Sequence, residues 1–186
     1  GSYAVGLKED FYFPTTALTV TDTPTQTPPS GGGSTDTVPS SPQLNIASAI
    51  AFLVAAQNED GSFTTPILSD WGAIAFASAP ETPTTAKEKL KQYLTSSSNG
   101  LSSATDYERR AMALMALGVN PYTGTSIDYI AKILSYFDGT QFGDRSLVND
   151  DIFAIFPLTD AGYNASDETI QKTILFIVSK QKPDGS

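Results

Sequence analysis

From Asn45 onward the apolar residues recur three and four positions apart, the spacing that gathers them on one face of an α-helix. Asn45 can cap "IASAIAFLVAAQ", with Ile46, Ile50, Leu53 and Val54 on one stripe. Asp60-Gly61 marks a turn, and Ser69 is placed to cap "DWGAIAFASA". Thr84 or Thr85 opens "AKEKLKQYL", with Leu90, Tyr93 and Leu94 to one side. Asn99-Gly100 turns the chain again, and "DYERRAMALMAL" runs to Gly118, a helix stop. Ser126 opens "IDYIAKILSYF", and Asp138-Gly139 turns into "DDIFAIFPLTDAG", in which Pro157 predicts a kink or an early end. Ser166 then caps "DETIQKTILFIVSK", which closes on Asp184-Gly185.

The turn glycines Gly61, Gly100, Gly139 and Gly185 are separated by 39, 39 and 46 residues. A period near 40 marks an array of helical hairpins, each an outer helix, an Asx-Gly turn and an inner-type helix. Aligned, the inner helices read "DWGAIAF", "ERRAMAL" and "DIFAIFP". Asp70, Glu108 and Asp151 each precede an alanine by three residues, Ala73, Ala111 and Ala154, and small residues there let helices approach closely. Residues 44–186 are therefore expected to be an all-α domain of about three and a half hairpins, incomplete at its C-terminus.

Ahead of it the pattern changes twice. Residues 21–43, "TDTPTQTPPSGGGSTDTVPSSPQ", hold almost nothing but Thr, Pro, Ser and Gly and no base, too little apolar surface to offset ordering entropy. They read as a linker, about 70 Å long if fully extended. Residues 1–20 include "YAVGLKEDFYFPTTALTV", dense in strand-favouring Tyr, Phe, Val and Thr but too short for an independent sheet. That segment reads as the C-terminal strand remnant of an upstream β-rich module, or as a disordered apolar tail. Gly1-Ser2 has the look of a cloning remnant.

Composition narrows the chemistry. Twenty acids against 11 bases give a formal charge of −9, which disfavours nucleic acid and anionic membrane surfaces as partners. No apolar run approaches the roughly 18 residues of a membrane span. The chain has neither cysteine nor histidine. Disulfides, thiolate nucleophiles, Ser-His-Asp triads and Cys/His zinc sites are thereby excluded. Neither metal nor cofactor is expected; "NEDGS" and "FDGTQFGD" lack the ligand series of a calcium loop and are explained by turn chemistry. Thr/Pro linkers of this kind are typical of secreted, multi-module proteins, which points to an extracellular or bacterial cell-surface location.

Two phrases, "FLVAAQNEDGS" at 52–62 and "FIVSKQKPDGS" at 176–186, repeat an aromatic-aliphatic helix end, a glutamine and Asp-Gly-Ser. With Phe63 following the first, they resemble the QW repeat of the squalene-hopene cyclase and protein prenyltransferase superfamily. Gln57, Gly61 and Phe63 stand in the motif's glutamine, glycine and aromatic places, and Gln181 and Gly185 begin it again. The resemblance implies an α/α toroid, typically about six hairpins in a ring, which would continue past Ser186. It also implies that these five residues form a structural clasp between neighbouring hairpins. The family's cyclases carry an Asp-x-Asp-Asp acid, where this chain has "VNDD" at 148–151, and its prenyltransferases carry zinc ligands absent here. The transcobalamin and intrinsic-factor group joins such a toroid to a small β-rich module for ligand capture.

Asp70, Glu108 and Asp151, at one repeated position, are candidates to line an inner rim, or are simply acids that favour helix N-termini. Trp71, with Phe63, Tyr107 and Phe142, is a candidate aromatic rim, or hairpin packing. The ligand-binding candidates are thus Asp70, Trp71, Tyr107, Glu108 and Asp151, with no catalytic residue assigned. The expected function is a non-catalytic helical-repeat module that binds a small ligand, glycan or protein partner, or serves as a scaffold. The alternative is a fragment of a carbohydrate-active or terpene-cyclase-like toroid enzyme whose remaining catalytic residues lie beyond Ser186. The last helix carries more apolar surface than one neighbour covers, so self-association through 166–186 is expected, or docking of Tyr3–Val20 on that face.

Overall fold

The structure, a computed structural model, describes residues 45–184. The strand remnant expected at 1–20, the linker expected at 21–43 and Gly185 lie outside them. Among the described residues there are seven helices and no strand, only an isolated bridge between Phe137 and Phe142.

The helices begin where side-chain caps permit. Helix α1 (Ile46–Ala56) starts at Asn45, whose side chain accepts from the Ser48 N–H at 2.9 Å. Helix α2 (Pro66–Ser78) starts earlier than its pattern predicts. Thr65 caps it and Pro66 takes the first position, where a missing N–H costs nothing. Ser69, expected as that cap, sits inside the first turn, its hydroxyl accepting from the Phe63 N–H at 2.9 Å. Helix α3 (Thr84–Ser96) follows Pro83 without a side-chain cap. Helix α4 (Ala104–Ala116) opens on a capping box of Ser103 and Asp106.

Helix α5 (Tyr129–Leu134) is one and a half turns long and is capped by Asp128, not by Ser126. Helix α6 (Asn149–Asp160) runs three residues past Pro157, so the proline does not end it. Helix α7 (Glu168–Lys180) begins after Asp167, while Ser166, expected as the cap, is held in the preceding turn by Asn164. The misplaced caps share one cause: each helix start offers several Ser, Thr or Asp within a few residues. The flanking turn, which hydropathy does not encode, chooses among them.

The helices form two layers. Helix α4 packs against α2 on one side and α6 on the other, making an inner layer; α3 bridges α2 and α4, α5 bridges α4 and α6, α1 leans on α2, and α7 on α6. Polar contacts fix the sense of the inner three. Asp70 of α2 reaches Arg109 and Arg110 near the start of α4, and Thr105 of α4 bonds Asp150 at the start of α6. The three N-terminal ends therefore lie side by side. Ala73, Ala111 and Ala154 are all fully buried in this layer, small side chains at the lines of closest approach. Leu90, Leu94, Leu114, Ile130, Ile133 and Leu158 close the space between the layers.

Candidate functional site

The chemistry of the described residues concentrates at the shared N-terminal end of the inner layer. Asp70, fully buried, accepts from Arg110 Nε at 2.5 Å and from Arg109 Nε at 3.1 Å. Arg110 is itself fully buried and also donates from Nη1 to the Ser97 carbonyl at 2.6 Å, tying α4 to the end of α3. Arg109 continues to Asp106 at 2.8 Å. Burial drives the Asp70 carboxyl upward from its ordinary range, against the pull of Arg110 and then Arg109. Burial acts on Asp106 too, but the Arg109 guanidinium and the N–H groups of Ser103 and Ser102 outweigh it and hold this acid well below the usual range.

The second acidic group lies between α4 and α6. Glu108 is fully buried, and neither carboxyl oxygen has a hydrogen-bond partner. Burial first, and then the neighbouring charges of Asp150 and Asp151, push its carboxyl up to about 9; Arg109 opposes them. At neutral pH Glu108 is a neutral acid. Asp151 Oδ1 accepts the Phe142 N–H at 2.8 Å, while Oδ2 is unpartnered; burial again raises this acid. Asp150 takes the hydroxyl of Thr105, the Asn149 amide at 3.2 Å and the Asp144 N–H at 2.9 Å. Its approach requires Gly143, because a Cβ there would stand 2.1 Å from Asp150 Oδ2.

The three acids at the repeated position thus share a layer but not one task. Asp70 is consumed by two guanidiniums, Asp151 ties down a loop, and Glu108 is kept uncharged. Among the described residues no group of three or more Asp, Glu, His or Cys could hold a metal ion. No helix among them is long and apolar enough to cross a membrane.

The aromatic candidates are distributed differently from the expected rim. Trp71 is 42% exposed, and its ring meets Phe153 of α6 at 6.2 Å; Phe153 in turn meets Phe156, which is 50% exposed. The rings therefore reach from α2 to α6 across the inner layer. Tyr107 points to the outer layer, against Tyr129 and Tyr136, with the Lys132 ammonium 5.0 Å from its ring centroid. Phe63 is buried over Gly72 beside Phe76, and Phe142 is buried beside Phe137. Trp71 and Tyr107 do not come together.

The residues proposed as a clasp have a definite geometry. The Gln57 amide donates to the Gly61 carbonyl at 2.9 Å and to the Ala86 carbonyl of α3 at 3.0 Å, joining the first turn to the next hairpin. Gly61 adopts φ +90°, and a Cβ on it would lie 2.2 Å from the Lys89 carbonyl oxygen. Only glycine allows both that φ and that approach. Gln181 caps α7 through its N–H to the Val178 carbonyl at 3.2 Å.

Sequence reasoning passed over Arg109, Arg110 and Gln141, all buried. The available signal was two adjacent arginines running directly into the apolar stretch "AMALMAL", with no gap for a solvated face. A surface groove of about 560 Å³ on α3, lined by Thr85, Glu88, Lys89, Lys91, Gln92 and Thr95, touches none of the inner acids. No family model, curated protein or solved structure matches this chain.

Proposed function

We propose that residues 45–186 are an arc of an α/α toroid, serving as a non-catalytic module of a secreted or cell-surface protein that captures a ligand or partner. The observation that carries this reading is the use to which the repeated acids are put. Hydrolytic acid-base work needs two carboxyl groups facing a shared substrate space. Here Asp70, Glu108 and Asp151 are all fully buried, and Asp70 is locked to Arg109 and Arg110. What α2 and α6 offer to solvent includes an aromatic set, Trp71 and Phe156 joined through Phe153, beside the aliphatic Ile67, Leu68 and Ile152. The Thr/Pro-rich stretch at 21–43 supports the extracellular assignment.

Trp71 is the only tryptophan, so its emission reports on this face alone. Titration with glycans, small apolar ligands and peptides should shift that emission for a true ligand, and Phe156→Ala should weaken the same binding. Turnover of any glycan or isoprenoid substrate that is lost in Glu108→Gln would overturn the non-catalytic reading. One observation favours the second reading, a fragment of a toroid enzyme: Glu108 is held protonated at neutral pH, as a general acid must be.

A further inference from the structure

We propose that Asn99 is a site of spontaneous modification, where the Gly100 nitrogen attacks the side-chain amide and turns the α3–α4 corner into aspartate and isoaspartate. The turn glycines Gly61, Gly100 and Gly139 recur at one place in the repeat, each preceded by a residue with a side-chain carbonyl. Two of those residues are Asp60 and Asp138. The third is Asn99, the one asparagine in the chain that a glycine follows. The structure treats the three differently. Asp60 Oδ1 accepts the Ser62 N–H at 2.9 Å and the Ser62 hydroxyl at 2.6 Å, and the Gly61 N–H is taken by the Asn58 carbonyl at 3.0 Å. Asp138 Oδ1 accepts the Thr140 N–H at 2.9 Å, the Thr140 hydroxyl at 2.7 Å and the Gln141 N–H at 3.1 Å. Among the described residues, the Asn99 amide makes no hydrogen bond and the Gly100 N–H has no acceptor. Both residues are exposed.

The chemistry follows from those free groups. A neutral amide is open to its neighbour's nitrogen at neutral and alkaline pH, whereas a carboxylate must first be protonated to lose an oxygen. The hydrogen bonds from Ser62 and Thr140 hold Asp60 and Asp138 below the usual carboxylate range, so both stay ionised and unreactive. At Asn99, hydroxide removes the Gly100 N–H proton and the nitrogen closes on Cγ. The new N–Cγ bond completes a five-membered imide; the Cγ–Nδ2 bond breaks, and the amide leaves as ammonia with a proton from water. Glycine suits the step because no Cβ shields its nitrogen. A second water then opens the imide. Breaking the N–Cγ bond leaves aspartate; breaking the bond from nitrogen to the main-chain carbonyl carbon leaves isoaspartate, whose chain runs through the side-chain carbon. Water enters and ammonia leaves, with no oxidant or reductant.

The product disturbs its surroundings. Gly100 packs on the first residue of α2, and a Cβ on it would stand 2.9 Å from Pro66 Cγ. Isoaspartate lengthens the main chain by one carbon at that point, so the turn must move against Pro66. Ser97, the C-cap of α3, gives its carbonyl to buried Arg110 at 2.6 Å, the same arginine that holds Asp70. A displaced turn therefore pulls on the pair that joins α2 to α4. Either product also sets a negative charge just past the C-terminus of α3, the end where the helix dipole favours cations. One of three similar turns thus carries a water-driven clock.

Incubation of the full chain at neutral and mildly alkaline pH, followed by peptide mapping and mass spectrometry, tests the site. Asn99 should be the first asparagine to acquire the mass of an acid, and isoaspartyl methyltransferase should label the same peptide. Asp60 and Asp138 should stay unchanged. Conversion should speed up with hydroxide and release ammonia in step. Asn99→Gln should abolish the mass change and the ammonia with unchanged helical circular dichroism, because glutamine has to close a larger ring. In urea at mildly acidic pH, where the Ser62 and Thr140 hydrogen bonds are gone, isoaspartate should appear at Asp60 and Asp138 as well. The isoaspartyl fraction, separated by ion exchange, should unfold at a lower urea concentration than the unmodified chain. An Asn99 that stays intact, or converts only after another asparagine, would overturn the proposal. So would undiminished ammonia release from Asn99→Gln, or isoaspartate at Asp60 or Asp138 of the folded chain before Asn99. Isoaspartyl chains that unfold like unmodified ones would overturn the link to Pro66 and Arg110.

Discussion

Replacing Glu108 by glutamine should stabilise the protein at neutral and alkaline pH, and the gain should vanish in acid. An ordinary glutamate loses its proton near 4.5, whereas burial and the charges of Asp150 and Asp151 raise Glu108 to about 9. Between those values the folded chain keeps a proton that the unfolded chain has released, so folding grows less favourable as pH rises. The cost is about 1.4 kcal/mol for each pH unit above the unfolded value. At about pH 7.5 that amounts to roughly 4 kcal/mol. Glutamine has the shape of the neutral acid and cannot ionise, so it removes the penalty. Both Glu108 carboxyl oxygens lack a partner, so an amide N–H left unpaired in their place would cost about 1–3 kcal/mol. The net gain is about 1–4 kcal/mol at pH 7.5, or a rise of roughly 0.5–2 M in the urea midpoint at an m-value of about 2 kcal/mol/M. Urea titrations from pH 5 to 9 decide the matter. The wild-type midpoint should fall with pH relative to the variant across the whole window, and the variant's advantage should be gone by pH 5. Parallel profiles would show that Glu108 ionises normally, and that water or a rearranged side chain reaches it.

Three further outcomes test the rest of the framework. Asp70→Asn leaves Arg110 buried with an uncompensated charge and should cost about 3–5 kcal/mol in denaturant unfolding. Gln57→Ala should cost about 1–3 kcal/mol by unpairing the Gly61 and Ala86 carbonyls, and Gln57→Glu should also destabilise, because a carboxylate cannot donate to either; unchanged midpoints in both would remove the clasp. Gly61→Ala should be worse than an ordinary loop substitution, about 3 kcal/mol or more, since it adds backbone strain to a collision with Lys89.

The chain's own pattern was enough to establish that residues 45–184 are helical and turn at Gly61, Gly100 and Gly139. Helical periodicity and the positive φ at those glycines are local properties, decided within a few residues of each position. The shared burial of Ala73, Ala111 and Ala154 was legible for a related reason: a repeat places equivalent residues in equivalent surroundings. The fates of the acids beside them were not legible. Asp70, Glu108 and Asp151 occupy one position in the repeat, yet one meets two arginines, one a loop N–H and one no partner at all. Those differences come from residues 9 to 43 positions away in sequence, brought close only when α2, α4 and α6 stack with their N-termini together. The split of the aromatic residues, with Trp71 half-exposed against Phe153 of α6 and Tyr107 against Tyr129 of α5, has the same origin. Which side of a helix faces a neighbour is written in its periodicity, but which neighbour it faces, and with what charge, is fixed only by the packing of the layers.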